Sequence, residues 1–182
     1  PDLENDVMQR IVEPVAHGML AEGMPYRGVL YVGLMLTRDG PQVIEFNCRF
    51  GDPEAQVILP RLRTDLVSAM LATTNAGLHH FDMRWDPRAA VTVVMASKGY
   101  PGSYEKGSVI RAIDAAETVP DCNVFHAGTA LADKGDLIAV GGRVLAVTAL
   151  GDDAETARRN AYAGVAKIDW QGGFYRSDIA KT

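Results

Sequence analysis

The clearest structural pattern in the chain lies at residues 28–56, GVLYVGLMLTRDGPQVIEFNCRFGDPEAQ. Residues 28–37 are apolar on both alternating faces, which is typical of a strand buried on both sides. A turn signal follows at residues 38–40, and residues 41–48 have the pattern of a returning strand. This part of the sequence therefore predicts an antiparallel β-hairpin.

A helix start is predicted directly after the hairpin. Asp52 can cap the first turn, Pro53 suits the first helical position, and Glu54 suits the positive end of the helix dipole. Thr64 is a candidate cap for a second helix over residues 65–73. We therefore expect two short helices to follow the hairpin.

The chain begins directly in a predicted helix over residues 1–23, with Pro14 expected to kink it. Its apolar residues recur at helical spacing and define one stripe: Val7, Met8, Ile11, Val12, Val15 and Met19. Because this start has no initiator Met, we expect a fragment of a larger protein. Residues 174–182 read as a C-terminal tail folded over a surface.

The periodicity changes at residues 78–88, which are polar and rich in turn formers. We place a lobe boundary there, with one lobe over residues 1–77 and another over residues 78–182. Short strands are predicted in the second lobe at 89–96, 109–113, 123–126, 136–140 and 143–149. A last helix, capped by Asp152 or Asp153, is predicted to run to about Ile168. The fold class is therefore α+β, with a small, mostly antiparallel second lobe and a helix packed on it.

Composition excludes several classes of protein. The net charge is -5, which argues against non-specific binding to nucleic acid or membranes. Hydrophobic residues make up 47% and charged residues 23%, values typical of a globular chain. The 2 cysteines fall short of a disulfide framework and predict reduced thiols in the cytoplasm. No apolar stretch approaches the ~20 residues of a membrane span.

The residues that carry chemistry lie on the predicted returning strand. Glu45, Asn47 and Arg49 alternate and should share one face. The α-carbons of Glu45 and Asn47 would then lie roughly 6.6 Å apart, so both side chains reach one hard cation. Carboxylate and amide oxygens suit Mg²⁺, and the guanidinium of Arg49 suits a phosphate or carboxylate.

A structural interpretation is available for the same residues. A strand with a polar face is common at an exposed sheet edge, and Asp-Pro-Glu is an ordinary helix start. On spacing alone the two interpretations are about equally supported. The neighbouring apolar strand favours the functional one, since a polar row beside a buried strand needs partners.

The stretch VIEFNCRFGDPEAQ resembles the signature of glycinamide ribonucleotide synthetase, an ATP-grasp ligase family of purine synthesis. The most specific part is RFGDPEAQ, residues 49–56, because other ATP-grasp families share only the Glu-x-Asn-x-Arg core. Further stretches are similar in order and spacing: PYRGVLYVGLM at 25–35, MASKGYPG at 95–102, FHAGT at 125–129, GGRVLAVTAL at 141–150 and FYRSDI at 174–179. The resemblance implies the end of an ATP-grasp lobe followed by the family's C-terminal lobe.

Residue roles follow from the resemblance. Glu45 and Asn47 match magnesium ligands, with Mg²⁺ or Mn²⁺ as the implied cofactor and ATP as a substrate. Arg49 matches an arginine that meets phosphate, and is the implied catalytic residue. Gly51, Asp52 and Glu54 match positions that bind substrate or phosphate near the reacting groups. For the two acidic residues, binding of the substrate amine and helix capping remain equal alternatives.

The implied reaction joins glycine to 5-phosphoribosylamine at the expense of ATP, through glycyl phosphate. The family's amino-terminal lobe and its glycine-rich, lysine-bearing ATP segment have no counterpart in this sequence. The resemblance therefore implies that this chain is incomplete alone and that its partner is the missing N-terminal part of the same enzyme.

Two alternatives remain open at the sequence level. One is another ATP-grasp carboxylate–amine ligase, which would share Glu45, Asn47 and Arg49 but use a different acid or amine. The other is a non-catalytic folding or interaction module, which the missing ATP-gripping half favours.

Overall fold

The structure is a computed structural model that describes residues 2–181. The chain divides into two compact units. The first comprises the described residues up to Gly51 together with Thr64–Arg84. The second comprises Asp52–Arg63 and the described residues from Trp85 onward. The lobe bounds at residues 77 and 78 remain a prediction.

The first unit opens with a helical segment, as its apolar periodicity predicts. Helix α1 spans Asp2–Val7, a π-helical turn spans Met8–Val12, and helix α2 spans Glu13–Ala21. Proline has no amide hydrogen to donate, so the wider hydrogen-bonding pattern is found just before Pro14. In the apolar stripe only Met8 is classed as exposed, while the other members are half-buried.

The hairpin is confirmed. Strand β1, Tyr31–Thr37, pairs antiparallel with strand β2, Gly40–Asn47. A bulge lies between Gly33 and Leu34, where the partners change from Glu45 to Val43. The expectation that β1 is buried on both sides is wrong, because its first four residues are only half-buried and its last three are exposed, with Leu36 at 62%. The two strands form a sheet of their own, and no third strand pairs with either of them within the described residues.

Helix α3 spans Ala55–Ile58 and continues as a 3₁₀ turn at Leu59–Arg61. Helix α4 spans Leu66–Thr74 and belongs to the first unit. The residue that caps α4 is Asp65, whose carboxylate accepts the Ser68 amide at 2.7 Å. The expectation that Thr64 caps this helix is therefore wrong, because its hydroxyl accepts the Arg84 amide instead, at 2.7 Å.

The second unit is built on a four-stranded antiparallel sheet in the order β4-β7-β3-β8. Its strands are β3 Ala89–Ser97, β4 Cys122–His126, β7 Arg143–Gly151 and β8 Gly173–Phe174. Strands β5 Thr129–Leu131 and β6 Leu137–Ala139 form a separate two-stranded sheet. The α+β class and the mostly antiparallel second lobe are confirmed.

One predicted strand is wrong. Residues 109–113 make only isolated bridges, Val109 with Ile138 and Arg111 with Asp169. Helix α5, Ile113–Glu117, follows at once. The apolar alternation is used instead to bury Ile110, which is 3% exposed, in the core.

The core lies between the sheet and helix α6, Ala154–Val165. Val93 and Val147 face each other on the central strands and are fully buried. The predicted apolar face is confirmed for Ala157, Ala161 and Val165 of α6, and Ile168 is buried in the same core just after the helix ends. Small residues allow the helix to lie close to the sheet: a Cβ on Gly164 would come within 2.6 Å of Cys122 Sγ.

The N-terminal end of α6 agrees with the sequence analysis, whereas the helix ends at Val165 and not near Ile168 as predicted. Of the two candidate caps, Asp153 is the one used, and it accepts the Thr156 amide at 2.7 Å. The C-terminal tail is held against the helix by Arg158, which donates to the carbonyls of Ser177 and Ile179. Thr182, the last residue of the predicted tail, lies outside the described residues.

Among residues 2–181, no helix is both long and apolar enough to cross a membrane. Cys48 and Cys122 are both free thiols. Burial raises the pKa of the Cys122 thiol, and the nearby carboxylate of Glu117 adds to that rise.

Candidate active site

Strand β2 carries the two predicted metal ligands, Glu45 and Asn47. They oppose Gly33 and Tyr31 across the hairpin, and the bulge lies upstream of both pairs. The alternation between the two residues is therefore unbroken, and their side chains leave the same face of β2. This placement agrees with the sequence analysis.

Gly33 leaves room for the Glu45 side chain. A Cβ at Gly33 would lie 3.1 Å from Glu45 Cγ, which is closer than about nine in ten real Cβ contacts. With a Cβ at this position, Glu45 Cγ would have to shift by a few tenths of an ångström.

The donor set fits a hard divalent cation. Glu45 is exposed and Asn47 is half-buried, so both side chains are accessible. One carboxylate and one amide oxygen match the preference of Mg²⁺, which usually keeps waters and substrate phosphates as its remaining ligands. The described residues contain no cluster of three or more His, Cys, Asp or Glu suited to a metal. A cation here would therefore depend on Glu45, Asn47 and groups from a substrate.

Arg49 does not extend this face. Strand β2 ends at Asn47, and Arg49 lies in the bend that follows. Its Nη1 donates to the carbonyl of Phe50 at 2.9 Å, and the side chain is exposed. The expectation that Arg49 shares a strand face with Glu45 and Asn47 is therefore wrong, because the strand pairing stops two residues earlier.

The Asp-Pro-Glu segment differs from the predicted helix start. Helix α3 begins at Ala55, with Glu54 at the N-cap position and no side-chain cap bond. Asp52 and Pro53 lie in the preceding turn, and the bond between them is cis. Helix capping by Asp52 is therefore wrong, and substrate binding by its carboxylate stays a prediction.

The Asp52 carboxylate is held from two sides. Gln56 Nε2 donates to Oδ1 at 2.9 Å, and Arg143 Nη2 donates to Oδ2 at 2.9 Å. Arg143 Nη1 also donates to the main-chain carbonyl of Asp52, at 3.0 Å. One guanidinium thus fixes both the side chain and the backbone of this residue.

The hydrogen bond from Gln56 to Asp52 leaves the other polar atom of the Gln56 amide group without a partner. Its amide nitrogen must face the carboxylate, since its oxygen would repel the negative charge. The Gln56 Oε1 atom is then buried, without a hydrogen-bond partner among the described residues. An unpaired buried carbonyl oxygen costs about 1–3 kcal/mol. The hydrogen bond from Gln56 to Asp52 is therefore made despite the unfavourable burial of an unpaired oxygen atom.

Arg143 was not among the residues singled out from the sequence. It is the first residue of β7 and follows Gly141 and Gly142, which the sequence motif GGRVLAVTAL includes. A Cβ on Gly142 would lie 2.3 Å from the Tyr100 ring, and one on Gly128 would lie 2.7 Å from the Arg143 carbonyl oxygen. These close approaches require glycine and set where Arg143 begins.

The available signal for Arg143 was its place in that motif. A charged residue at the start of an otherwise apolar strand needs a polar partner near the strand end. The partner, Asp52, lies 91 residues away in the chain, so local spacing could not identify it.

Stretches that are distant in the sequence meet at one cavity in the second unit. The cavity has a volume of about 330 Å³ and lies on the sheet face opposite α6, where Thr92 and Val94 point. Its wall includes Pro53, Tyr100, Arg143 and Tyr175. Each of these residues belongs to a different stretch of the resemblance.

The site residues fall into both units. Glu45, Asn47, Arg49 and Gly51 belong to the first unit, and Asp52 and Glu54 to the second. Gly51 is buried, whereas Asp52 is exposed with its side chain 48% accessible. Within each unit the structure brings together one pair: Glu45 with Asn47, and Asp52 with Arg143.

Comparison with known proteins identifies the class. Residues 1–55 match the family model "Phosphoribosylglycinamide synthetase, ATP-grasp (A) domain", and residues 90–182 match "Phosphoribosylglycinamide synthetase, C domain". The second match covers more than half of the chain. The chain belongs to the phosphoribosylglycinamide synthetase family.

Two similar proteins are named phosphoribosylamine–glycine ligase. The chain is 50% identical to the chloroplastic phosphoribosylamine–glycine ligase of Arabidopsis thaliana, over 98% of this chain and 34% of the relative. It is 47% identical to the phosphoribosylamine–glycine ligase of Vibrio vulnificus, over 98% of this chain and 42% of the relative.

A solved structure is also similar. The phosphoribosylamine–glycine ligase of Thermotoga maritima aligns with a TM-score of 0.82 and 36% identity, over 98% of this chain and 44% of that one. The chain thus spans less than half the length of each of these three relatives.

Proposed function

We propose that this chain is the C-terminal part of a ligase that joins glycine to 5-phosphoribosylamine with ATP, giving glycinamide ribonucleotide, ADP and phosphate in purine biosynthesis. The observation that supports this most directly is the pair Glu45 and Asn47 on one face of β2, followed by the Gly-Asp-Pro-Glu segment. Membership of the family and the names of the relatives support the same reaction.

In this proposal, Glu45 and Asn47 hold a divalent cation, Mg²⁺ or Mn²⁺. When bound, the cation would neutralise charge on the phosphate oxygens of ATP. The oxygen donors, their shared face and their accessibility fit that role.

Arg49 supplies a guanidinium to the transferred phosphoryl group. Its side chain is exposed and bonded only to the neighbouring Phe50 carbonyl among the described residues, so it is available to turn toward a ligand. A planar fork suits phosphate oxygens and stabilises charge as it develops there.

The chemistry needs no protein nucleophile. A carboxylate oxygen of glycine attacks the γ-phosphorus of ATP, and ADP leaves, which forms glycyl phosphate. The amine nitrogen of phosphoribosylamine then attacks the glycyl carbonyl carbon, phosphate leaves, and the nitrogen loses a proton. Gly51, Asp52 and Glu54 bind substrate beside these steps, with the Asp52 carboxylate directed at an amine.

The proposed partner is the N-terminal part of the same enzyme, which would bring the glycine-rich and lysine-bearing segment that grips ATP. The partial coverage of the relatives supports this. We also propose a cytoplasmic location, in keeping with two free thiols and no disulfide. The proposal includes no nucleic-acid or membrane partner.

The test is made on the full-length protein that contains this chain. Glu45→Ala should lower the rate of glycinamide ribonucleotide formation by roughly 10²-fold or more. The cation would contribute several kcal/mol of charge stabilisation in the transition state, and the variant lacks one of its ligands. The same variant should bind Mg²⁺ or Mn²⁺ more weakly in titration calorimetry. Its urea unfolding midpoint should stay close to that of the wild type, since Glu45 is exposed.

Gln42→Ala is the matched control, because Gln42 is exposed on the same strand and upstream of the bulge. It should leave both metal binding and turnover unchanged. A Glu45→Ala variant with near-normal turnover would contradict the metal assignment. A wild-type protein that ligates another acid or amine, or none, would favour one of the two alternatives given above.

A further inference from the structure

We propose that Arg143 is a positioning residue of the ligase, which acts by holding the Asp52 carboxylate in the orientation that receives the amine substrate. This inference rests on the proposed function. Two hydrogen bonds join the residues: Arg143 donates to Asp52 Oδ2 at 2.9 Å and to the Asp52 carbonyl oxygen at 3.0 Å. One guanidinium thus fixes the Asp52 carboxylate relative to the Asp52 backbone.

The carboxylate keeps capacity for a ligand. An ionised carboxylate offers about four lone-pair sites, and Gln56 and Arg143 each occupy one. The Asp52 side chain is 48% exposed, so a ligand can approach the carboxylate from solvent. An ammonium or amine that donates two hydrogens fits these free positions. Asp52 is thus oriented and still available.

Arg143 is itself fixed in place. Gly128 N donates to the Arg143 carbonyl oxygen at 3.1 Å, and Ser97 N donates to the carbonyl of the preceding Gly142 at 2.8 Å. Gly142 packs against Tyr100 with no space for a Cβ. The guanidinium therefore projects from a backbone that two separate stretches of the chain hold, one around Ser97 and Tyr100 and one at Gly128.

If Arg143 and Asp52 formed only an ordinary surface ion pair, the variants would behave differently. Ion pairs as exposed as this one, 42% for Arg143 and 48% for Asp52, usually contribute little to stability. If the contact were only a surface ion pair, its loss would change neither stability nor kinetics. A positioning role predicts unchanged stability with a selective loss in the use of the amine substrate.

The experiment compares Arg143→Met, Arg143→Lys and Asp52→Asn in the full-length ligase. Arg143→Met should raise KM for the amine substrate roughly tenfold, with KM for ATP and the urea unfolding midpoint unchanged. Arg143→Lys should recover part of the loss, because one ammonium can hold the carboxylate but cannot also reach the carbonyl. The double variant Arg143→Met with Asp52→Asn should be no worse than Asp52→Asn alone.

The matched control is Arg111→Met, an exposed arginine of the same unit with no side-chain hydrogen bond among the described residues. It should have wild-type kinetics. If the wild type ligates and Arg143→Met has wild-type KM values, the positioning role is overturned while the proposed function stands. If the wild type does not ligate glycine to phosphoribosylamine, the proposed function fails and this inference fails with it.

Discussion

Single residues on β2 show how far a candidate site can be predicted from local spacing. Glu45 and Asn47 share a face because side chains alternate along a strand, and no tertiary information is needed for that. The same alternation does not extend to Arg49, because the strand ends at Asn47 and the chain then bends. Local periodicity is valid only as far as pairing with the partner strand continues.

The first prediction at this scale concerns Arg49. Arg49→Lys in the full-length protein should lower kcat/KM for ligation by roughly tenfold or more, because a single ammonium cannot reproduce two parallel hydrogen bonds to phosphate oxygens. Steady-state kinetics with ATP as the varied substrate provide the measurement.

Arg38→Lys is the matched control for Arg49→Lys. Arg38 is exposed in the turn between β1 and β2, so exchanging one cation for another there should leave kcat/KM unchanged. Equal kinetics for Arg49→Lys and the wild type would show that Arg49 is an ordinary surface residue.

At the scale of elements, the packing of α6 on the sheet is the most demanding contact of the second unit. The helix presents alanine and glycine to the central strands, and its buried members include Ala157 and Ala161 at 0% exposure. Such small residues let a helix approach closely, so that even one extra methyl group is felt.

Gly164→Ala should therefore destabilise the protein by about 1–3 kcal/mol, although alanine favours helix formation over glycine. Its new Cβ would lie 2.6 Å from Cys122 Sγ and 3.0 Å from Val147 Cγ1. The measurement is the free energy of unfolding from urea titration. Adding Cys122→Ala should recover part of the loss by removing the sulfur.

Gly18→Ala is the control for helix propensity, because a Cβ at Gly18 in α2 would have no atom within 4 Å. Alanine there should be neutral or stabilising, by up to about 1 kcal/mol. A stabilising effect of Gly164→Ala would show that the contact between α6 and the sheet is looser than the structure indicates.

On the scale of the whole molecule, a buried carboxylate joins segments that are distant in the chain. Asp86 is 2% exposed and pairs with Arg88 at 3.0 Å and Arg63 at 2.5 Å. Arg88 also reaches Asp121 at 2.8 Å, while Arg61 donates to the Asp86 carbonyl oxygen. The network ties the segment after α3 to the start of β3.

Hydrogen bonds from Arg88, and after them the contact with Arg63, hold the pKa of Asp86 well below its ordinary value. A carboxyl with a depressed pKa in the folded state stabilises the fold fully above the unfolded pKa of about 4, and this contribution is lost as the pH falls further. We therefore expect the wild-type urea midpoint to fall between pH 6 and pH 3.

Asp86→Asn should be less stable than the wild type at pH 6, and its midpoint should fall less on acidification, because the titrating group is gone. Asp133→Asn, an exposed change in the turn between β5 and β6, should keep the wild-type pH dependence. An equal fall for Asp86→Asn and the wild type would show that the network does not carry the acid sensitivity.

Much of the fold could be predicted because its signals are local. The hairpin, the stripe on the first helix and the apolar face of α6 are set by periodicities within single elements. Errors arose where a residue had an unforeseen partner: Thr64 accepts the Arg84 amide, Asp52 pairs with Arg143, and residues 109–113 bury Ile110 without joining a sheet.

The sequence by itself determined the α+β class, the family and the pair Glu45 and Asn47, because alternation and motif spacing act over a few residues. Only the tertiary structure decided that Asp52 serves no helix cap and is held by Arg143 and Gln56. The physical reason is that a carboxylate takes whichever donors the fold brings near it. Arg143 comes from 91 residues away, and the glycines that set its place do so through close backbone contacts that no local pattern records.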